Sequence, residues 1–370
     1  MAAYTTVDDP SAYFQAAIYE GTTSTRKTVT NTGNSDLKPD LFWFKNRDDA
    51  APNVIADTVR GANVAGPVGY TITSNTDSTN TEVAEGKGVM TITSNGFTVE
   101  EQVHAAGNVN TNSMVCWQWK CNGGTEQATV SESGNNPGHT RQTNVTAGLS
   151  IILYTGTGAA GTIAHGLNSA PKFMMIKSGP TTDHWAVYFG GSTAGIDHTD
   201  YGRLNTTAGW LDSSAYWNDT AATSSVFTVN TSNKVNKNAA TYIAYVWAEV
   251  QGYSKFANYT GNGNANGPFI PLGFKPAWVM IKQATDSSSG DGWHILDNTR
   301  DPHNPNTGKL FADSNTYEGT SSAIGVDFLS NGFKVRATDG GLNANTKKYI
   351  YFAFAEQPFV TSTGISATAN

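Results

Sequence analysis

Leu272-Gly273-Phe274-Lys275-Pro276-Ala277-Trp278-Val279-Met280-Ile281-Lys282 is a phrase that this chain uses three times. An earlier copy runs His165-Gly166-Leu167-Asn168-Ser169-Ala170-Pro171-Lys172-Phe173-Met174-Met175-Ile176-Lys177. The first copy is Leu37-Lys38-Pro39-Asp40-Leu41-Phe42-Trp43-Phe44-Lys45. In each, a proline precedes an apolar run that ends in lysine, with the same spacing from Pro39 to Lys45, Pro171 to Lys177 and Pro276 to Lys282. Self-similarity of this kind fixes architecture before any chemistry is considered.

Other elements recur around the phrase in the same order. The turn Ser94-Asn95-Gly96-Phe97 returns as Ser330-Asn331-Gly332-Phe333, and Asn-Gly between apolar runs is a strong hairpin signal. Apolar closing runs follow at Ser113 to Lys120, Tyr242 to Trp247 and Tyr349 to Ala355. In the first of these, Val115, Trp117 and Trp119 share one face. Each closing run is apolar on nearly both faces, which predicts a central strand or one that faces a neighbouring unit. The second copy departs at Ser224-Ser225-Val226-Phe227, so a different hairpin is expected there.

No stretch holds a helical period, and short apolar runs alternate with Gly/Asn turns. The expected fold is all-β: three tandem antiparallel β-sandwich repeats of jelly-roll or lectin-like kind. The expected division is a lead-in segment 1–12, repeat 1 over 13–125, a linker 126–147, repeat 2 over 148–250, repeat 3 over 251–360 and a tail 361–370. Within the lead-in, Asp8-Asp9-Pro10-Ser11 fits either one helical turn or a plain turn.

Of the 370 residues, 38% are hydrophobic, 11% aromatic and only 14% charged, which argues for packed cores over disorder. A net charge of -7 gives no basic footprint for nucleic acid. The opening Met-Ala-Ala-Tyr-Thr-Thr does not read as a signal peptide, and no run approaches the roughly 18 apolar residues of a membrane span. Cys116 and Cys121 point to opposite faces of a strand and read as small apolar fillers or thiols.

The carboxylates Asp48, Asp49, Glu82, Glu85, Glu100, Glu101, Asp183, Asp286, Asp291 and Asp301 are scattered and do not form a recurring pair. No Gly-x-Ser-x-Gly elbow, zinc spacing or phosphate loop is present, so no catalytic residue and no cofactor is expected. His104, His139, His165, His184, His198, His294 and His303 lack metal spacing, and His165 and His294 read as structural. Asp297 and Asp301 are weak calcium candidates in the loop Asp297 to Asn304. Trp210, Tyr216 and Trp217 lie in Gly/Ser/Asn-rich sequence. They are candidate aromatics for a glycan or an interface, the competing reading being that they cover a sandwich edge. Lys45, Lys177 and Lys282 read as snorkelling lysines that blunt a strand end.

Several stretches together resemble a family of virion structural proteins of marine tailed bacteriophages, built from tandem β-sandwiches. They are Asp9-Pro10-Ser11-Ala12-Tyr13-Phe14, Thr32 to Asp40, Lys45-Asn46-Arg47, Tyr154-Thr155-Gly156-Thr157-Gly158, His165-Gly166-Leu167, Asp297-Asn298-Thr299-Arg300 and Asp327 to Lys334. The resemblance implies a non-catalytic virion component assembled in the host cytoplasm. An exterior tail fibre or appendage with adhesion to host-surface glycan is the first expectation. A capsid decoration or head-fibre protein is the second, and a glycan depolymerase the third. Expected partners are other virion proteins, a homo-oligomer such as a trimer, and host glycan, with neither nucleic acid nor membrane insertion.

Overall fold

The computed structural model describes residues 4–22, 26–60, 69–74, 83–85, 89–99, 108–109, 111–122, 128–179, 182–191, 196–285 and 291–367. A first group of strands comprises β1 (Phe14–Glu20), β2 (Lys27–Thr30), β3 (Leu41–Asn46), β4 (Val54–Asp57), β5 (Gly69–Thr73), β6 (Val83–Glu85), β7 (Val89–Thr93), β8 (Gly96–Val99) and β9 (Ser113–Trp119). A second comprises β10 (Ala128–Val130), β11 (His139–Asn144), β12 (Leu149–Thr155), β13 (Gly161–Ala164), β14 (Pro171–Ser178), β15 (Ala186–Phe189), β16 (Asp200–Tyr201), β17 (Leu211–Asp212), β18 (Val226–Val229) and β19 (Thr241–Ala248). The short helices α1 (Ser214–Trp217) and α2 (Asn233–Asn236) lie among them. A third comprises β20 (Ser254–Thr260), β21 (Phe269–Pro271), β22 (Phe274–Gln283), β23 (His294–Asp297), β24 (Gly308–Phe311), β25 (Gly319–Thr320), β26 (Val326–Leu329), β27 (Gly332–Val335) and β28 (Lys348–Pro358), with α3 (Gly340–Asn343) before the last strand.

The protein is all-β, and its strands form antiparallel sheets. Three sheets are six-stranded, with orders β1-β9-β3-β4-β5-β6, β10-β11-β12-β19-β14-β15 and β20-β28-β22-β23-β24-β25. Smaller sheets are β2-β8-β7, β13-β18, β21-β27-β26 and β16-β17. The thrice-used phrase supplies β14 and β22, and the apolar run of its first copy supplies β3. In each large sheet this strand lies beside a closing strand, β9, β19 or β28. The proline of the phrase falls where the ladder is irregular, with register shifts after Pro171 and on both sides of Pro276. A residue without an N–H is tolerated at such breaks.

Alternation along the closing strands divides two cores. Val115, Trp117 and Trp119 of β9 join one central cluster with Ile243, Tyr245 and Trp247 of β19 and Ile350, Phe352 and Phe354 of β28. Their neighbours face outward into separate clusters beneath the small sheets: Met114 and Cys116, then Tyr242, Ala244 and Val246, then Tyr349, Tyr351 and Ala353. The sequence expectation of strands apolar on both faces is thereby met. The rings of Phe14, Trp247, Trp278 and Phe354 surround Trp119 with centroids at 5.1, 6.4, 5.9 and 5.6 Å. Phe173 and Phe352 approach to 3.7 Å between the second and third sheets. Ring pairs of this kind add about 0.5–1.5 kcal/mol each beyond area burial.

The Asn-Gly hairpins form as expected, β7 to β8 and β26 to β27. Gly96 and Gly332 have φ of 121° and 153°, and a Cβ there would lie 2.1 Å from the carbonyl oxygen of Val29 or Ile270. Only glycine fits both constraints. In the second group β18 pairs with β13 alone, in keeping with the altered turn sequence at Ser224.

The segment 126–147 is not a linker. Its described residues include β10 and β11, and β11 pairs along its length with β12. The composition misleads because polar residues of β11 are covered on both faces: His139 and Thr143 on one face and Gln142 on the other are buried. The lead-in forms a 3-10 turn over Pro10–Ala12, with Asp9 accepting from the Ser11 amide at 3.0 Å. Thr5 Oγ1 donates to the Gln251 carbonyl at 2.7 Å, and the Ser362 amide donates to Asp8 at 2.6 Å. The segments around Asp8 and Ser362 thus meet.

Trp119→Ala should lower unfolding free energy by about 3–5 kcal/mol, since it leaves a cavity among rings of all three large sheets. In urea, tryptophan fluorescence and far-UV dichroism should shift together to one lower midpoint. Loss of one sheet's signal alone would contradict a shared core.

Candidate functional site: buried lysines and ion pairs between the sheets

Lys45, Lys177 and Lys282 are buried, at 0%, 3% and 0% exposure. They do not snorkel, because both faces of the strand are covered where they sit. Each Nζ instead donates to backbone carbonyls, at or just past the end of its own strand and, for Lys282, also in the second group. Lys45 reaches Ala51 at 2.5 Å, Lys177 reaches Ser178 at 3.1 Å, and Lys282 reaches Asp291 at 2.6 Å and Thr207 at 2.8 Å. Burial pulls Lys45 and Lys282 down to about 8 from the usual 10.5, with Asp313 and Asp291 opposing it at Lys282. The Asp313 carboxyl is pushed up by burial, offset in part by the Trp293 amide that donates to it at 2.7 Å.

The weak calcium candidates are both engaged within their own loop. Asp297 is fully buried, and both its oxygens are occupied. Oδ1 accepts from the amides of Arg300 at 2.9 Å and Thr299 at 3.2 Å, while Oδ2 accepts from Arg300 Nε at 2.5 Å and Trp117 Nε1 at 3.0 Å. Asp301 closes its own loop by accepting from the amides of Thr307 at 2.8 Å and Gly308 at 3.2 Å. Among the described residues no group of three His, Cys, Asp or Glu could hold a metal. The cation beside Asp297 is an arginine. Arg300 lies over the Trp117 ring at 5.6 Å and donates to Glu318 at 2.6 Å, and Glu318 also accepts from Arg47 at 2.5 Å.

The same device stands at the end of β4. Asp57 accepts from the Arg60 amide at 2.9 Å, from Arg60 Nε at 2.5 Å and from Tyr245 Oη at 2.7 Å. Both Asp-x-x-Arg pairs therefore bind an aromatic donor on another sheet's closing strand. Register makes the positions equivalent: Leu41, Phe173 and Trp278 oppose Asp57, Phe189 and Asp297. Trp43, Met175 and Met280 oppose Trp117, Tyr245 and Phe352. The equivalents in the remaining case are Phe189 and Phe352, which carry no polar group.

The three aromatic candidates are not an open platform. Trp217 is buried, donates from Nε1 to the Asp200 carbonyl at 3.0 Å and packs on Tyr188 at 5.4 Å. Tyr216 is buried and stacks on Tyr201 at 3.7 Å. Trp210 is half-buried against Phe189 at 6.3 Å. Their Gly/Ser/Asn surroundings suggested exposure, but α1 folds Tyr216 and Trp217 over the second large sheet. Phe359 and Phe269 are exposed instead. Phe359 meets Tyr4 edge-on at 6.5 Å beside a cleft of about 470 Å³ that Glu249, Gln251, Lys255 and Asn331 also line.

His165 is structural: Nδ1 accepts from the Leu167 amide at 3.1 Å, and Nε2 faces the Thr223 carbonyl at 3.1 Å. His294 is buried and pulled down to about 3, first by burial and then by Lys309 and Lys282. Cys116 and Cys121 are buried thiols without a disulfide, and burial raises both. Asp183 pairs with Lys234 at 3.2 Å, and Asp48 accepts from the Ser113 amide at 2.6 Å. Glu82, Glu100, Glu101, Asp286 and His104 lie outside the described residues.

Sequence reading missed three buried asparagines. Asn108, Asn236 and Asn343 accept from the amides of Thr22, Thr157 and Asn262 at 2.7, 2.8 and 2.8 Å. Each amide stands three positions after an aromatic strand residue, Tyr19, Tyr154 or Tyr259. The Tyr-Thr-Gly phrase was visible twice, but its asparagine lies 79 or 81 positions away.

Lys45 and Lys282 bind protons less tightly folded than unfolded. Between pH of about 8 and 10.5 the unfolded chain holds more protons, so their contribution makes stability rise with pH. Above about 9 the raised thiols of Cys116 and Cys121, and above about 10 the raised tyrosines, act in the opposite sense. Urea unfolding should therefore show a midpoint that climbs from pH 8 to about 9, and this climb should be lost in a Lys45→Met/Lys282→Met variant.

No curated protein and no solved structure matches this chain. A family model does, over residues 9–358, and its description is "Domain of unknown function (DUF7483)". The chain belongs to that family.

Proposed function

We propose that this chain is a non-catalytic structural protein of a virus particle, built of three tandem β-sandwich repeats and carried outside the particle as a tail fibre or appendage. The sandwich reading is supported by the recurring orders β1-β9-β3-β4, β12-β19-β14-β15 and β20-β28-β22-β23, each with a small sheet over its outer cluster. The observation that carries the non-catalytic reading is the use made of the buried ionisable groups. Lys45, Lys282, Asp57, Arg60, Asp297, Arg300 and His165 are bonded to backbone or to one another, in positions that hold loops and sheets together. The virion assignment rests on the sequence resemblance of Asp9 to Phe14, Thr32 to Asp40 and Asp327 to Lys334.

Adhesion to glycan is favoured by the cleft beside Tyr4 and Phe359. It joins aromatic rings to amide, acid and ammonium side chains, the combination that sugars are bound by. The lysine is oriented by its bond to the Pro271 carbonyl at 3.3 Å.

Labelled antibody on purified particles, imaged by electron microscopy, should mark the tail. Label spread over the capsomers would move the protein to capsid decoration, and unlabelled particles would remove the virion reading. Host polysaccharide should be retained on immobilised protein at unchanged chain length, with retention reduced at least severalfold by Phe359→Ala. Shortened polysaccharide would sink the non-catalytic reading.

A further inference from the structure

We infer that the three large sheets form a closed ring within one chain, so that the trimer expected of a fibre is built intramolecularly. This rests on the three-repeat reading above, and two sets of contacts carry it further. In the first, the end of one sheet's fourth-position strand meets the next sheet's closing strand. Asp57 of the first sheet accepts from Tyr245 of the second, and Asp297 of the third accepts from Trp117 of the first. In the second set, the residue before that strand reaches in the opposite direction. Asn53 donates to the Phe311 carbonyl in the third sheet at 3.0 Å, and Trp293 donates to the Arg203 carbonyl in the second group at 3.0 Å.

Each set keeps one rotational sense, and the two senses are opposite: first to second and third to first in one, first to third and third to second in the other. A linear stack would leave outer surfaces on the first and third sheets unused. Here those surfaces bind each other through Asp297 and Trp117. Repeated heterologous contacts whose last member returns to the first form a closed ring, and closure leaves no lateral surface for a further copy. The joints are not alike. Two carry an Asp-x-x-Arg pair with an aromatic donor, whereas the second-to-third joint has Phe189 and Phe352 at those positions. The charged pairs thus key the order of the sheets, since a carboxylate placed against Phe352 would lose its donor.

A circular permutant tests closure with the whole chain. The meeting of Asp8 and Ser362 allows the ends to be joined, and a cut between Asn122 and Ala128 gives the order second, third, first. A closed ring predicts that this permutant unfolds in one transition near the parent midpoint, and that both scatter light as 39.3 kDa monomers. An unfolded permutant, or a parent of threefold mass, overturns the ring. The repeat reading survives either result, because it rests on strand order alone. The key is tested separately by combining Tyr245→Phe with Asp57→Asn. Coupling of roughly tenfold in the unfolding equilibrium constant is expected. Additive effects, or a chain rebuilt in the order first, third, second that is as stable as the parent, overturn the keying.

Discussion

Trp119 touches rings from all three large sheets, and the constraint that follows governs much of the molecule. A strand that faces a shared core on one side and its own small sheet on the other must be apolar in both registers. β9, β19 and β28 meet this with continuous apolar runs. Where β9 carries a polar residue, the partner is supplied: Gln118 exchanges hydrogen bonds with Asn31 at 2.8 and 3.1 Å. An amide buried without such a partner would cost about 1–3 kcal/mol. The small sheet is thus tied to the large one by the same bond that makes Gln118 tolerable.

Charge inside this core follows a similar logic. Removing one member of a buried ion pair typically costs about 3–5 kcal/mol, while the intact pair contributes little net stability. Asp297 with Arg300 and Asp57 with Arg60 are therefore poor as glue and better as selectors. Each pair folds back within its own turn and presents both carboxylate and guanidinium to one aromatic residue of another sheet: Arg60 donates to Tyr245 Oη at 2.8 Å, and Arg300 lies over the Trp117 ring. Trp117 Nε1 and Tyr245 Oη gain a partner by docking there, so a wrong neighbour would strand both the carboxylate and the donor.

The sequence carried the strands, the Asn-Gly hairpins and the two-faced closing runs, because each is written in local periodicity and turn chemistry. Its failures share a cause: they concern where a side chain finds its partner. Lys45 looks like a strand-end lysine until the loop that returns to Ala51 is seen to cover it. Asp297 and Asp301 look like ligands because the pattern Asp-Asn-Thr-Arg-Asp does not say that Arg300 folds back onto Asp297. Tyr216 and Trp217 sit among turn residues, and only the packing of α1 over Tyr188 buries them. The polar strand β11 passed for a linker because the side chains it buries are His139, Gln142 and Thr143.

That strand also bears on how the sheets end. The strands equivalent to β12 are β1 and β20, and among the described residues each of these pairs on one side only, with β9 or β28. β12 alone carries the β10–β11 hairpin on its outer side. An open edge invites pairing with foreign strands unless charge or irregularity blunts it. β1 ends in exposed Glu20, and β20 carries Lys255, whose ammonium is directed to the Pro271 carbonyl. β12 reads Leu-Ser-Ile-Ile-Leu-Tyr-Thr, with no charge at all, so an uncovered β12 would be the most adhesive edge of the chain. The hairpin before it removes that edge, and the apolar strand it protects is the one that brings Leu149 and Ile151 to the central cluster.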